Sequence, residues 1–272
     1  MVLEGIDLIR SDDIHEYTAW LSKTWDAGAH RDWVKLLIRN FSRGDGMKVI
    51  GGSPDASVAL IYEDAHVVVQ LRCLSDAGRD TKNAGVVSTS PVSSAIMPIS
   101  GGVIAYRRYE VDGFQDVHLH SRAAKIREVS AGTCRAGEIV EILRGPHCLS
   151  LKAPVEVFAI QVSTKKSDQL SWAFDRVSGR SLGVSSASIG ASRVQLACRA
   201  LAELGSYRAV DSLRDLARNH SFHFVRMEAI RSLFILNDER LLELLRERAL
   251  EDPHPHVRTA CSRNLSRMLE AA

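Results

Sequence analysis

Three regimes of apolar spacing divide the chain. Up to about residue 46 the apolar positions recur at helical intervals. Ile14, Tyr17, Leu21 and Trp25 share one face behind the capping pair Asp12-Asp13, and Trp33, Leu36, Leu37 and Phe41 share another before Arg43-Gly44-Asp45-Gly46 breaks the pattern. From Met47 the period falls to two. Ser57 to Tyr62 and His66 to Leu74 are rich in valine and leucine, and Glu63-Asp64-Ala65 between them predicts a hairpin. After a polar stretch from Ser75 to Ser90, short strands are predicted at 95–99, 103–111, 116–120, 124–130, 137–143, 148–151 and 155–162. Pro98, Pro146 and Pro154 fall at strand edges, where a missing N–H is tolerated. Many short strands with turns between them predict an antiparallel sandwich or small barrel.

Residues 166–190 read as a connection. Trp172 and Phe174 suggest a short helix tucked against the barrel, and Ser178 to Gly190 is serine- and glycine-rich, as linkers are. Beyond it the helical period returns and repeats. Val194, Val225 and Val257 open equivalent segments, each followed four residues later by a small residue, Cys198, Ala229 or Cys261. Paired helices recurring about every thirty residues predict an α-solenoid. The expected organisation is therefore N-terminal helices packed on the barrel (1–46), the barrel itself (47–165), a linker (166–190) and helical repeats (191–272). The fold class is α+β multidomain.

Composition then narrows the function. The net charge of +2 over 272 residues gives no general case for nucleic acid or a membrane surface. No apolar run reaches the roughly twenty residues of a membrane span, and Met1 to Asp13 lacks the basic start and apolar core of a secretory signal. Five scattered cysteines without a CxxC fit reduced thiols in a cytoplasm. The repeats carry thirteen arginines, no lysine and eleven acidic residues, so arginines such as Arg193, Arg226 and Arg258 are expected to bond neighbouring carboxylates and carbonyls, with a ladder for an acidic partner as the competing use.

Two resemblances follow. Asp252-Pro253-His254-Pro255-His256-Val257-Arg258 looks like the entry turn of a HEAT repeat, with Ser221 to Arg226 a looser copy. Residues 56–162 resemble a cupin of the cysteine-dioxygenase-like branch. The likeness is carried by the strand pair Ala56 to Val69, by Ile99-Ser100-Gly101-Gly102-Val103 leading into Arg108-Tyr109-Glu110, and by the glycine-led strand Gly137 to Ile142 reaching His147. It implies a double-stranded β-helix, and in that family three histidines hold Fe(II). Here the segment matching the HxH motif, Asp80 to Gly85, contains no histidine, and His147 alone matches. A rearranged metal set would use His118, His120 and His147. Strand alternation also sends Arg107 and Arg108 to opposite faces. Either could bind a substrate carboxylate inside the barrel, beside Tyr109.

The expectation is a non-catalytic, cofactor-free protein that binds a small molecule or a partner in its barrel. Its repeats would offer an interaction surface to a protein, with a homodimer as its own assembly. The alternative is a non-haem metal oxygenase using Fe(II). Membrane association and nucleic-acid binding are not expected.

Overall fold

The computed structural model describes residues 5–32, 35, 58–75, 85–118 and 120–270. The second N-terminal helix expected to bury Trp33, Leu36, Leu37 and Phe41 lies almost wholly outside these residues, as do positions 80–84 of the segment matched to the HxH motif. The chain forms two compact units, Met1–Ala187 and Ser188–Ala272.

In the first unit, helix α1 (Ile14–Asp26) begins where the Asp13 carboxylate accepts a hydrogen bond from the His15 N–H at 3.0 Å. Its buried face of Ile14, Tyr17, Trp20 and Leu21 is the one the helical spacing predicts, with Trp20 added. That face packs on Val67, Val69, Ala95, Met97, Ile160 and Val162. Each large side chain so buried contributes about 1.5–3 kcal/mol, which seats the helix firmly on its sheet. Burial also pushes the Tyr17 phenol up to about 12, and its hydroxyl donates to the Ser11 carbonyl at 3.0 Å.

The strands are β1 (Val58–Glu63), β2 (Val67–Leu74), β3 (Val86–Ser88), β4 (Ser94–Pro98), β5 (Ile104–Val111), β6 (Ile126–Cys134), β7 (Val140–Ile142), β8 (His147–Lys152), β9 (Val157–Thr164), β10 (Leu170–Asp175) and β11 (Ser181–Ser186). One antiparallel sheet runs β1-β2-β9-β4-β7, and a second runs β6-β5-β8. A bridge between Thr89 and Cys148 ties the end of β3 to β8. Four strands, β2-β9-β4-β7, thus face four others, β3-β8-β5-β6. This interleaved order is that of a double-stranded β-helix. The core between them is Leu74, Ile96, Ile104, Cys134, Val140, Val157 and Ala159, with Tyr106, Leu149 and Leu151.

Two expectations are corrected here. The stretch 166–190 is not a linker with a short helix: it contains β10 and β11, which pair with each other and extend the sheet beyond β3. Leu170, Trp172 and Phe174 alternate along β10 and all are buried. The serine- and glycine-rich β11 supplies backbone hydrogen bonds rather than core side chains. Residues 116–118 and 120 are not in a strand either. Asp116 accepts from the His118 N–H at 2.8 Å, and that side-chain bond builds a turn.

The second unit contains α2 (Ile189–Glu203), a 3₁₀ turn (Tyr207–Ala209), α3 (Val210–Asn219), α4 (His223–Ile235), α5 (Leu241–Glu251) and α6 (Pro255–Glu270). The repeat positions behave as a stacked array requires. Val257, Cys198, Ala229 and Cys261 are buried in one core with Leu213, Leu233 and Leu244, and Val225 is fully buried too. Gly205 (φ 63°) and Asn237 (φ 51°) follow α2 and α4 at equivalent places, in the left-handed conformation that ends helices.

Arginine–carboxylate pairs join each repeat to the next. Arg199 grips Glu228 at 3.1 and 3.2 Å, Arg218 meets Glu247 at 2.9 Å, and Arg214 holds Asp238. Arg226 grips Asp252 at 2.9 and 2.7 Å, with both side chains buried. Arg226 also donates to the His220 carbonyl, and Arg258 to the Asp252 carbonyl at 2.6 Å. These arginines thus serve the array itself.

Candidate functional site

Strand alternation assigns the inner face of the barrel. On the five-stranded sheet, register places Gln70 opposite Gln161, and Ser163 opposite both Val68 and Ser94. Arg72 and Leu74 continue the same face along β2. The face is apolar at one end, around Leu74, Ile96 and Ala159, and polar toward the other. There the Arg72 guanidinium donates to Gln161 Oε1 at 2.5 Å. The Gln161 amide donates to Ser163 Oγ at 2.9 Å, and the Ser94 and Ser163 hydroxyls lie 2.8 Å apart. Valine- and isoleucine-rich strands thus carry a connected polar network where a second apolar layer would be expected.

The facing sheet brings Tyr106, Arg108 and Glu110 from β5, with Leu151, Leu149 and His147 opposite them on β8. Tyr106 and Leu149 pack in the barrel core, so Arg108, between them, also faces inward. Its guanidinium carbon lies 5.4 Å from the centre of the Tyr106 ring. Its Nε is buried and has no hydrogen-bond partner. Gly132, directly opposite Tyr106, makes room for that ring; a β-carbon there would stand 2.8 Å from the tyrosine hydroxyl.

The structure separates the three pocket candidates. Arg108 is the inward arginine. Arg107 is exposed on the other face, where it pairs with Glu128 at 2.9 Å. Tyr109 is not in the barrel interior: it is buried on the outer side of β5 with Val87, Val111, Cys148, Trp172 and Phe174. Burial raises its phenol above the usual range, and the Glu128 carboxylate adds to the shift. A bulge in β6 places Glu128. Arg108 pairs with Ser130 while Tyr109 pairs with Glu128, so β6 spends one extra residue and turns Glu128 toward Arg107 and Tyr109.

The histidines do not assemble either. Among the described residues, His118, His120 and His147 form no three-ligand cluster. His120 lies edge-on to Trp172 at 5.1 Å and bonds Ser181 Oγ at 2.8 Å, and burial lowers its pKa, helped by Arg122. Trp172 packs with Cys148, which is adjacent to His147 in β8 and therefore on the opposite face. The sheet thus stands between His120 and His147. These residues do not fit the family's iron. Cys148 offers no nucleophile, because burial raises its thiol to about 12.

The polar inner network of Arg72, Ser94, Gln161 and Ser163 was not legible as a site. Polar residues alternating along a strand read as its solvent side. The available signal was serine at the start of β4, a strand buried throughout.

The fold is thus a cupin-like double-stranded β-helix with an N-terminal helix, followed by a helical unit. A family model describing HEAT repeats matches residues 193–266. No curated protein matches the sequence. Solved structures similar to it include hydroquinone 1,2-dioxygenase from Sphingomonas sp. TTNP3 with 4-hydroxybenzoate bound (12% identity over 40% of this chain and 65% of that one, TM-score 0.29). A second hydroquinone 1,2-dioxygenase, in complex with Cd2+ and 4-hydroxybenzonitrile, has 10% identity over 39% of this chain and 62% of its own (TM-score 0.28). An RmlC-like cupin from Shewanella frigidimarina has 9% identity over 44% of this chain and 86% of its own (TM-score 0.28). The chain spans under two-thirds of the length of the two dioxygenase chains. At these scores nothing about this chain's chemistry is argued from them. Among the described residues, no helix is long and apolar enough to cross a membrane.

Proposed function

We propose that this chain is a non-catalytic binding protein whose barrel holds a small anionic molecule against Arg108. The observation that carries the reading is the inward guanidinium of Arg108, with its buried Nε unpartnered, opposite a wall of hydroxyl and amide groups. A carboxylate or phosphate would satisfy that donor with a charge-assisted bond. The hydroxyls of Ser94 and Ser163 and the Gln161 amide supply neutral groups for the rest of the ligand. Within the cupins we place residues 56–162 beside the cysteine-dioxygenase-like branch, on the segments around Ile99–Val103 and Arg108-Tyr109-Glu110. The reading also includes a cytoplasmic location, supported by five free thiols, a protein partner on the helical repeats, and a homodimer paired through the exposed edge of the β1 sheet.

Calorimetric titration with a panel of small carboxylates and phosphates tests it. Binding by the native protein, lost in Arg108→Met and retained in Arg107→Met, is the expected result. Equal loss in both variants, or no heat with any panel member, overturns the assignment. Elemental analysis of protein purified without chelators is the companion measurement. Near-stoichiometric iron would instead favour the oxygenase alternative.

A further inference from the structure

The helical unit contains a groove that its own packing leaves open. Helix α4 carries apolar side chains on two faces: Ala229, Ile230 and Leu233 enter the core, while Met227 and Phe234 remain outside it. A surface helix normally keeps its second face polar. Here the extra apolar face forms one wall of a groove of about 770 Å³, with Ala260, Asn264 and Met268 of α6 on the other side. Phe234 is 57% exposed and Met227 37%. From Phe224 to Phe234 the α4 wall runs about 15 Å at 1.5 Å per residue, or roughly three helical turns.

The exposed charges lining the groove are positive. Arg231 and Arg267 line it and are exposed. The one carboxylate in the lining, Glu228, is already gripped by Arg199 and bonded by Gln195. Arg199, Arg214, Arg218 and Arg226 are held by carboxylates one repeat away. Arg231 and Arg267 are not among those pairs.

We infer that this groove docks an amphipathic, acidic helix of a partner protein. Apolar anchors at i, i+4 and i+7 would fill the space between α4 and α6 over Met227 and Phe234, and aspartate or glutamate on the flanks would meet Arg231 and Arg267. The length of the wall matches three such anchors. The inference is independent of the barrel reading, because no residue of the barrel enters it.

Fluorescence anisotropy with the full chain tests it. The probe is a labelled helical peptide of about fifteen residues, with leucines at the anchor positions and glutamates on both flanks. A copy with lysines in place of the glutamates is the control. The expected result is saturable binding of the acidic peptide, weakened at least about tenfold by raised salt, by Arg231→Glu/Arg267→Glu, or by Phe234→Ser. These positions are exposed, and an unchanged melting temperature verifies that the variants fold. No binding, equal binding of the lysine copy, or affinity indifferent to Phe234→Ser overturns the inference. So does a monomer–dimer equilibrium abolished by Phe234→Ser, which would give the groove to a second copy. Loss of anion binding in Arg108→Met with peptide binding intact would separate this site from the barrel.

Discussion

Asp252 makes three interactions at once. It receives both arms of Arg226, and its carboxylate accepts the His254 N–H at 2.8 Å, so it caps the entry to α6 as well as joining two repeats. Burial alone would raise its pKa, but the Arg226 bonds and the His254 N–H outweigh it, and the carboxyl sits below the usual range. Truncating it leaves a buried guanidinium without a counter-charge. Asp252→Ala is expected to cost about 3–5 kcal/mol, read as a shifted urea midpoint. Arg258→Ala, which loses one bond to a backbone carbonyl, should cost far less. The same scale shows what a sequence can and cannot say about a site. Alternation fixed that Arg107 and Arg108 part company. Which of them turns inward is set by Tyr106 and Leu149, which pack in the core on either side of Arg108, and no local pattern announces that choice. His147 falls on the inner face as the family resemblance implies, but His118 and His120 are set by a turn that the Asp116 side chain builds.

At the scale of elements, the seat of α1 depends on one glycine. Gly137, at φ 86°, lies against the Trp25 indole, and a β-carbon there would run into the ring. Gly137→Ala combines a strained backbone with that clash. It is expected to destabilise the first unit by about 1–3 kcal/mol, visible as a lower melting temperature and a shifted tryptophan emission. Element type was legible wherever the apolar side chains did the organising. The helical repeats follow from Val225, Ala229 and their equivalents, and the β1–β2 hairpin follows from Asp64, whose carboxylate accepts the His66 and Val67 N–H groups. It was not legible in β11, whose Ser181-Leu182-Gly183-Val184 segment reads as loop. That strand is held by hairpin pairing with β10, which composition does not record.

At the scale of the whole molecule, the two units report through different signals. All four tryptophans precede residue 188, and most of the helix follows it. The units also differ in what acid removes. Glu228, Asp238, Glu247 and Asp252 all titrate below their ordinary values. Arg214 is the leading cause for Asp238. For the other three, burial acts in the opposite direction and is outweighed by Arg199, Arg218 and Arg226 respectively. A carboxylate whose folded pKa is depressed stabilises above its unfolded value of about 4, and that stability is lost as pH falls through the folded pKa. In the first unit Asp64 and Asp175 share this sign, whereas burial raises Asp168. Acid titration from pH 7 is therefore expected to reduce helical circular dichroism at a higher pH than it shifts tryptophan fluorescence. Coincident transitions would mean that the units unfold as one.

The arginine-only chemistry of the second unit also decides how a cell can address it. Lys165 and Lys166 are the last lysines in the chain, so acetylation and ubiquitin attachment at lysine have no acceptor anywhere among the helical repeats. A guanidinium stays charged across the physiological range. The positive half of every inter-repeat pair is therefore fixed, and only the carboxylate half can be switched by protons. Mapping with an amine-reactive reagent should label the β-rich unit alone, which leaves the repeats as an internal blank for any partner-protection experiment.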